Sequence, residues 1–228
     1  MSLFRRILEL KTGPVQYELS RRDHMKMVGH PFPYSIKQDE FEYLTDLIVT
    51  HKLTRGFECA TAFGISTCAI AEGFRRTNGQ LITLDSYIEE EVKDPESYRI
   101  GKQDRVYEQA MGYQSVMYLR SALGLDRHLS PEVGWSPQDV GTVIRKHFGD
   151  AKLDFVFLDA GHFPEQMIRD IAAFVPFLGP RYVLVFHDNY PRSFAPEVHQ
   201  FLRDQVGQDC EIVVPHPRGE NLSVVIHV

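Results

Sequence analysis

Cysteine is scarce in this sequence, and basic residues are fewer than acidic ones. The 3 cysteines, Cys59, Cys68 and Cys210, form no CxxC pair, so we expect neither a disulfide framework nor a zinc site of common spacing. The 25 Lys and Arg residues against 31 Asp and Glu residues leave a formal net charge of −6. This balance argues against a nucleic-acid-binding protein, which needs a basic surface to contact phosphates.

Long apolar runs are also missing. No stretch approaches the ~18 uncharged apolar residues that a membrane-spanning helix requires. The amino-terminal MSLFRRILELKTG shows no apolar signal core before a small-residue cleavage site. We therefore expect a cytoplasmic protein without a membrane partner. With 43% hydrophobic and 25% charged residues, the composition is that of an ordinary globular protein, and a single domain overall is expected.

The chain divides into an N-terminal helical segment, residues 1–53, and a part, residues 54–228, where β-rich runs alternate with helical patterns. Continuous apolar runs such as FVFL and YVLVF are typical of strands buried on both faces of a parallel sheet. The last two β-rich runs are separated only by HPRGEN, which predicts an antiparallel pair. The pattern predicts a doubly wound, Rossmann-like α/β sheet of about seven strands, mostly parallel, with helices on both faces and an antiparallel C-terminal strand.

Ligands in such sheets bind beyond the carboxyl ends of the strands, so the loops there are the candidate site. The loop after the first predicted strand, ECATAFGIST, has small residues that let a ligand approach the backbone, and the next helix offers free N–H groups. The second strand, QLITLD, ends in Asp85, where a carboxylate can bind both ribose hydroxyls. A tight turn and a solvated acid explain each feature alone, but together they favour a nucleoside cofactor.

After the third predicted strand, GWSPQD indicates a helix start within Ser136–Asp139. Trp135, the only tryptophan, is thereby predicted at the rim of the pocket. There it either covers an adenine ring or packs as an ordinary core residue.

The fourth and fifth strands end in LDAGHFPE and VFHDN. These segments bring Asp159, His162, His187, Asp188 and Asn189 to the carboxyl ends of adjacent strands. Carboxylate and amide oxygens suit Mg²⁺ or Ca²⁺, and histidines titrate near neutrality. Taken singly, Asp188 also fits a helix cap, His162 a loop residue and His187 a core histidine.

Together these segments resemble the class I S-adenosylmethionine-dependent methyltransferases, in particular the small-molecule enzymes with a catechol O-methyltransferase layout. GFECATAFGIST matches the family loop E-x-G-x-G-x-G, with Glu58 and Gly64 retained and alanines at positions 60 and 62 replacing two glycines. Asp85 matches the acid that holds ribose, and LDAGH and VFHDN match the segments after the fourth and fifth strands. The resemblance covers most of the chain.

The resemblance implies a set of site residues. Asp159, Asp188 and Asn189 match the Mg²⁺ ligands of catechol-type enzymes, and His162 takes the place of their general-base lysine. The expected catalytic residues are accordingly Asp159, His162 and Asp188. The residues expected to bind the cofactor are Glu58, Ala60, Thr61, Ala62, Phe63, Gly64, Ser66, Thr67, Asp85, Ser86, Trp135 and Asp159.

The implied activity is O-methylation of a small hydroxylated molecule, with S-adenosylmethionine as cofactor and Mg²⁺ or Ca²⁺ as candidate metal. A homodimer through the N-terminal helices is the candidate assembly. Three alternatives remain at this point: a nicotinamide-dependent oxidoreductase, which would need a clearer GxGxxG; a cofactor-binding protein without activity; and a metal hydrolase using His187 and Asp188.

Overall fold

The computed structural model describes residues 36–62, 64–86, 113, 115–160, 163–187, 196–206, 211–213 and 222–227. Four residues of the predicted site, Phe63, His162, Asp188 and Asn189, lie outside the described residues. The N-terminal segment up to residue 35, which carries the dimer prediction, also lies outside them.

A central sheet, mostly parallel, organises the molecule. Its strands are β1 (Arg55–Cys59), β2 (Gln80–Asp85), β3 (Leu129–Val133), β4 (Leu153–Leu158), β5 (Leu178–Phe186), β6 (Glu211–Val213) and β7 (Ser223–His227). They lie in the order β3-β2-β1-β4-β5-β7-β6. Strands β1 to β5 pair in parallel, and β7 is antiparallel to both β5 and β6. The predicted mixed sheet with its antiparallel C-terminal pair is confirmed, and its strand order reverses between β1 and β4.

Helices cover both faces of this sheet. They are α1 (Gln38–His51), α2 (Ile65–Thr77), α3 (Val140–Phe148), α4 (Pro164–Phe174) and α5 (Pro196–Val206), and residues 115–122 are also helical. Buried side chains of α1, α2 and residues 115–122 form one hydrophobic core, and those of α3, α4 and α5 form the other. Every helix in the described part of the chain is too short or too polar to traverse a bilayer.

Strand β4 shows why its apolar run is continuous. Phe155 and Phe157 belong to the core under α1 and α2, whereas Val156 and Leu158 belong to the core under α3 to α5. Successive side chains of a strand point to opposite faces, so a strand covered on both sides needs apolar residues at every position.

Two local features of the fold follow from single residues. Strand β3 contains Pro131, which has no N–H to donate, and the strand lies at the edge of the sheet where such a residue is tolerated. The helix predicted to start within Ser136–Asp139 is present as α3 with Asp139 as its N-cap residue, but its first helical residue is Val140, because residues 136–139 form a turn. The Asp139 side chain accepts the backbone N–H of Trp135 at 2.8 Å and so holds this turn closed.

Candidate functional site

A cleft of about 620 Å³ opens where β1, β2 and β3 end and α4 begins. Because the strand order reverses beside β1, this is the position where doubly wound sheets bind ligands. Four residues of the predicted cofactor set line it, namely Ala60, Asp85, Ser86 and Trp135. The other lining residues are Cys59, Leu84, Gly134, Ser136, Pro137, Gln138, Ala160, Phe163, Gln166 and Arg169.

The turn after β1 winds tightly at the edge of this cleft. Ala60, Ala62 and Gly64 all have positive φ angles, of 72°, 46° and 86°. The left-handed conformation costs an L-residue roughly 1–2 kcal/mol, so the two alanines retain a backbone shape that glycine adopts freely. At Gly64 space is also limited, because a Cβ there would lie 2.8 Å from Cγ2 of Val116.

Glu58 lies beneath this turn and is fully buried. Its Oε1 accepts the Ser66 hydroxyl at 2.7 Å, and its Oε2 accepts the Thr67 hydroxyl at 2.6 Å. Burial raises the pKa of Glu58 to about 7, although hydrogen bonds from Thr67, Ser66 and Thr83 oppose the shift, and the charge of Asp159 adds to it. The structure thus brings Glu58, Ser66 and Thr67 together. Both carboxylate oxygens accept hydrogen bonds from hydroxyl groups of α2, and these bonds form a buried connection between β1 and α2.

The same turn is tied to β2 at two points. Thr61 is buried, and its hydroxyl is hydrogen-bonded to that of Thr83. Asp85, half-buried at the end of β2, accepts the backbone N–H of Ala62 on Oδ2 at 2.9 Å. Asp85 therefore lines the cleft and positions the turn at the same time.

The opposite side of the cleft is formed by the turn after β3. Trp135 lines it with 37% of its surface exposed. The hydroxyl of Ser136 donates to Oδ1 of Asp170 at 2.6 Å, and burial raises the pKa of this Asp170 carboxyl. The turn that carries Trp135 is thus held from α4 through Asp170, as well as by Asp139.

The beginning of α4 contributes residues that the sequence reasoning missed. Phe163, Gln166 and Arg169 line the cleft, and Phe163 is 74% exposed. Gln166 and Arg169, three residues apart, lie on one face of α4, and Phe163 is the residue that directly precedes the helix. That spacing, next to the predicted end of β4, was the available signal.

Asp159 and His187 meet at the ends of β4 and β5. Nδ1 of His187 lies 3.1 Å from Oδ1 of Asp159, and Nε2 of His187 lies 3.9 Å from Oε2 of Glu40. Glu40 is fully buried on α1. The sequence reasoning considered His187 but missed Glu40. In the pattern QDEFEY, nothing distinguishes a buried acid from a solvent-exposed one.

No group of three or more His, Cys, Asp or Glu side chains suited to holding a metal ion occurs among the residues that the structure describes. Of the predicted metal ligands, only Asp159 belongs to those residues. The metal site and the His162 base therefore stay predictions.

Comparison with known proteins places this geometry in context. Residues 57–189 match a family model described as a methyltransferase domain. No curated protein sequence matches the chain. The structure of an O-methyltransferase from Bacillus cereus, in complex with SAH, is similar with a TM-score of 0.64 at 13% identity, covering 98% of this chain and 96% of that chain.

Two further solved structures are similar over nearly the whole length. The O-methyltransferase TomG from Streptomyces achromogenes, involved in tomaymycin synthesis and solved in complex with SAM, has a TM-score of 0.63 at 15% identity, with 100% of each chain covered. Cofactor-bound Rv0187 from MTB has a TM-score of 0.65 at 15% identity, covering 98% of this chain and 94% of that chain. At such identities the likeness shows a common fold.

Proposed function

The chain belongs to the methyltransferase-domain family, whose model it matches over more than half of its length, and on this basis we propose that it transfers a methyl group from S-adenosylmethionine to a hydroxyl group of a small molecule. The observation that carries the proposal is the cleft, which is lined both by Asp85 at the end of β2 and by Trp135 in the turn after β3. The similar structures from Bacillus cereus and Streptomyces achromogenes, which were solved in complex with SAH and SAM respectively, support the choice of cofactor.

The described residues fit such a cofactor. A volume of about 620 Å³ lies within the ~300–1,000 Å³ typical of small-molecule pockets. The Asp85 carboxylate is suited to the ribose hydroxyls, and the Trp135 ring offers an aromatic face to the adenine. The amino end of α2, beginning at Ile65, presents N–H groups that suit the carboxylate of the methionine part.

When bound, S-adenosylmethionine supplies an electrophilic methyl group on a positively charged sulfur. The protein has to align the acceptor oxygen with that methyl group, and alignment of this kind contributes ~7–11 kcal/mol in intramolecular models. The hydroxyl must also lose its proton. We assign this step to His162, because a neutral imidazole accepts a proton near pH 7 without a large pKa shift.

Asp159, Asp188 and Asn189 are the residues proposed to hold a Mg²⁺ or Ca²⁺ ion. A cation at this position lowers the pKa of a hydroxyl bound to it. Pairing of two chains through the N-terminal helices and a cytoplasmic location stay predictions. Light scattering of the full chain, compared with a chain lacking residues 1–35, tests the pairing.

The cofactor assignment is tested by isothermal titration calorimetry with S-adenosylmethionine, S-adenosylhomocysteine and NAD. We expect the first two to bind and Asp85→Asn to weaken them ~10–100-fold, since a hydrogen bond to a charged group contributes about 1.5–3 kcal/mol. Asp150→Asn, which removes an exposed carboxylate that is not part of the cleft lining, is the matched control and should bind as the parent does. Binding of NAD without S-adenosylmethionine would overturn the proposal.

The general base is tested with His162→Ala, using labelled S-adenosylmethionine and a panel of small hydroxylated acceptors. Turnover should fall ~10²–10⁴-fold while the affinity for S-adenosylmethionine is retained. His199→Ala on α5 is the control for loss of an imidazole outside the cleft lining. Unchanged turnover in the His162 variant eliminates this residue as the base.

A further inference from the structure

A second concave site lies at the opposite end of the sheet, where β1 and β4 begin and α1 ends. This basal cavity has a volume of about 230 Å³. It is lined by His51, Lys52, Leu53, Arg55, Lys152, Leu153, Asp154, Gly179, Pro180 and Arg181. Four of these side chains are cationic, in a chain whose formal net charge is −6.

The single acid of the lining does not neutralise these cations. Oδ2 of Asp154 accepts the backbone N–H of Thr54 at 2.8 Å and its hydroxyl at 2.9 Å, while Oδ1 accepts the backbone N–H of Arg55 at 2.8 Å. The carboxylate is therefore directed at the start of β1. It forms no ion pair with a cation of the described chain.

The cations are held by neutral groups or project from the surface. Nε of Arg55 donates to the carbonyl of Lys152 at 2.5 Å, and Nζ of Lys152 donates to the carbonyl of Pro176 at 2.7 Å. Lys52 and Arg181 are exposed, and their side chains make no hydrogen bond or ion pair with any other part of the described chain. None of the four forms an ion pair with a described residue, so the lining carries an excess of positive charge, with four cationic side chains against the one carboxylate of Asp154.

His51 adds a hydrogen-bonding group without adding charge. Burial, and after it the positive charge of Arg181, lower the pKa of His51. The imidazole is therefore neutral at pH 7 and can donate or accept one hydrogen bond at the rim of the cavity.

Complementing a helix dipole does not explain this cluster. Lys52 follows α1, where a cation is often favourable, but the backbone N–H groups of Lys52 and Leu53 already bind the carbonyls of Val49 and Ile48 at 3.2 and 3.0 Å. Arg55 and Arg181 lie on strands. Concentrated positive charge on a concave surface attracts small anions.

We propose that the basal cavity is a binding site for a phosphate group, either inorganic phosphate or the phosphate of a small phosphomonoester. Guanidinium groups match phosphate oxygens in a two-pronged geometry, and Arg55 and Arg181 supply two of them beside Lys52 and Lys152. The volume of about 230 Å³ is below the ~300 Å³ of drug-sized pockets, so the ligand is small. The site is independent of the cleft and of the proposed methyl transfer.

Calorimetry on the full chain at low ionic strength, with inorganic phosphate and with glycerol 3-phosphate as separate probes, tests this site. We expect saturable binding of at least one probe and a ~10–100-fold loss of affinity in Arg181→Gln. Tighter binding of the ion identifies free phosphate as the ligand, whereas tighter binding of the ester identifies a phosphomonoester. Absence of binding by both probes at millimolar concentration overturns the proposal.

Two further variants separate the site from general effects of charge and folding. Arg203→Gln on α5 removes the same charge outside the lining of the basal cavity and should leave phosphate binding unchanged; an equal loss in this variant would show a net-charge effect and refute the site. Lys52→Gln, at an exposed position, should weaken phosphate binding without changing circular dichroism. Both Arg181→Gln and Lys52→Gln should keep the parental affinity for S-adenosylhomocysteine.

Discussion

Nδ1 of His187 lies 3.1 Å from Oδ1 of Asp159, and the two side chains differ sharply in burial, at 3% and 20% exposure. The parallel pairing of Leu158 with Phe186 brings the residues that follow them side by side. The backbone N–H of His187 also donates to the carbonyl of Leu158 at 3.0 Å. A buried imidazole therefore orients the more exposed carboxylate at the edge of the candidate site.

Removing this imidazole should impair methyl transfer more than cofactor binding. In His187→Phe the ring still packs near Phe157, whose ring centroid lies 6.2 Å from that of His187, but Asp159 loses its hydrogen bond with the imidazole. We expect turnover to fall ~10–100-fold, as for loss of a hydrogen bond to a charged group, with little change in affinity for S-adenosylhomocysteine. Initial rates and calorimetry measure both, with His199→Phe as control. Parental turnover would show that Asp159 needs no such support.

The stability of the protein should depend on the ionisation of Glu58. Its pKa is raised from 4.5 to about 7 by burial, so between these values the folded protein keeps a proton that the unfolded chain releases. The free energy of unfolding therefore decreases as pH rises through this window, by about 3 kcal/mol at most, and the effect is complete above it.

Glu58→Gln removes this titration. Urea unfolding at about pH 5 and about pH 8 should show the parent losing stability relative to Glu58→Gln at the higher pH. Glu197→Gln, an exposed position on α5, should follow the parent at both pH values. If the parent and Glu58→Gln change in parallel, Glu58 does not titrate as described.

In the turn after β1, replacing alanine by glycine and replacing glycine by alanine should have different effects on the free energy of unfolding. Ala60→Gly relieves a left-handed alanine with φ of 72°, a gain of ~1 kcal/mol that the greater freedom of unfolded glycine largely offsets. Gly64→Ala combines φ of 86° with a 2.8 Å approach to Cγ2 of Val116 and should cost ~1–3 kcal/mol. Urea denaturation compares the two variants.

The cause of the cost at Gly64 can be separated in the same experiment. Adding Val116→Ala to Gly64→Ala removes the close contact but not the backbone penalty. Gly64→Ala should therefore cost less stability in the Val116→Ala background than in the parent. Equal stability of the parent and Gly64→Ala would mean that this turn is looser than its angles indicate.

Chelation should stop methyl transfer if Asp159, Asp188 and Asn189 hold a cation. After dialysis against EDTA we expect activity to be lost and to return with Mg²⁺, because the hydroxyl of the acceptor is then harder to deprotonate. Affinity for S-adenosylhomocysteine should not change. Full activity after exhaustive chelation would leave these residues with a positional role only.

Parts of the site were predictable because they depend on sequence-local rules. Asp85 follows the β-rich run QLITL, and the carboxyl end of a parallel strand is where ligands bind. The role of Glu58 was less accessible. Its place in the loop motif predicted a contact with the cofactor. In the structure both of its oxygens accept hydrogen bonds from the hydroxyls of Ser66 and Thr67. These bonds depend on how α2 packs against β1.

Other relationships depend on segments that are distant in the chain. Glu40 on α1 approaches His187 after β5, and Asp170 on α4 accepts the hydroxyl of Ser136. Nothing near Glu40 or Asp170 in the sequence distinguishes them from solvated acids on helices. Their burial is set by which helix covers which end of the sheet.

Hydrophobic periodicity and loop chemistry determined the layered α/β architecture and the antiparallel pair at one edge of the sheet. They also determined that the cleft lies at the carboxyl ends of the parallel strands. These features depend on the spacing of neighbouring residues. Tertiary structure alone decided which carboxylates are buried and bonded internally, and it also gathered the cations of the basal cavity. Those outcomes require the packing of elements that are far apart in the chain. This packing also sets the surroundings of each charged group, on which the energy of interaction between charges depends.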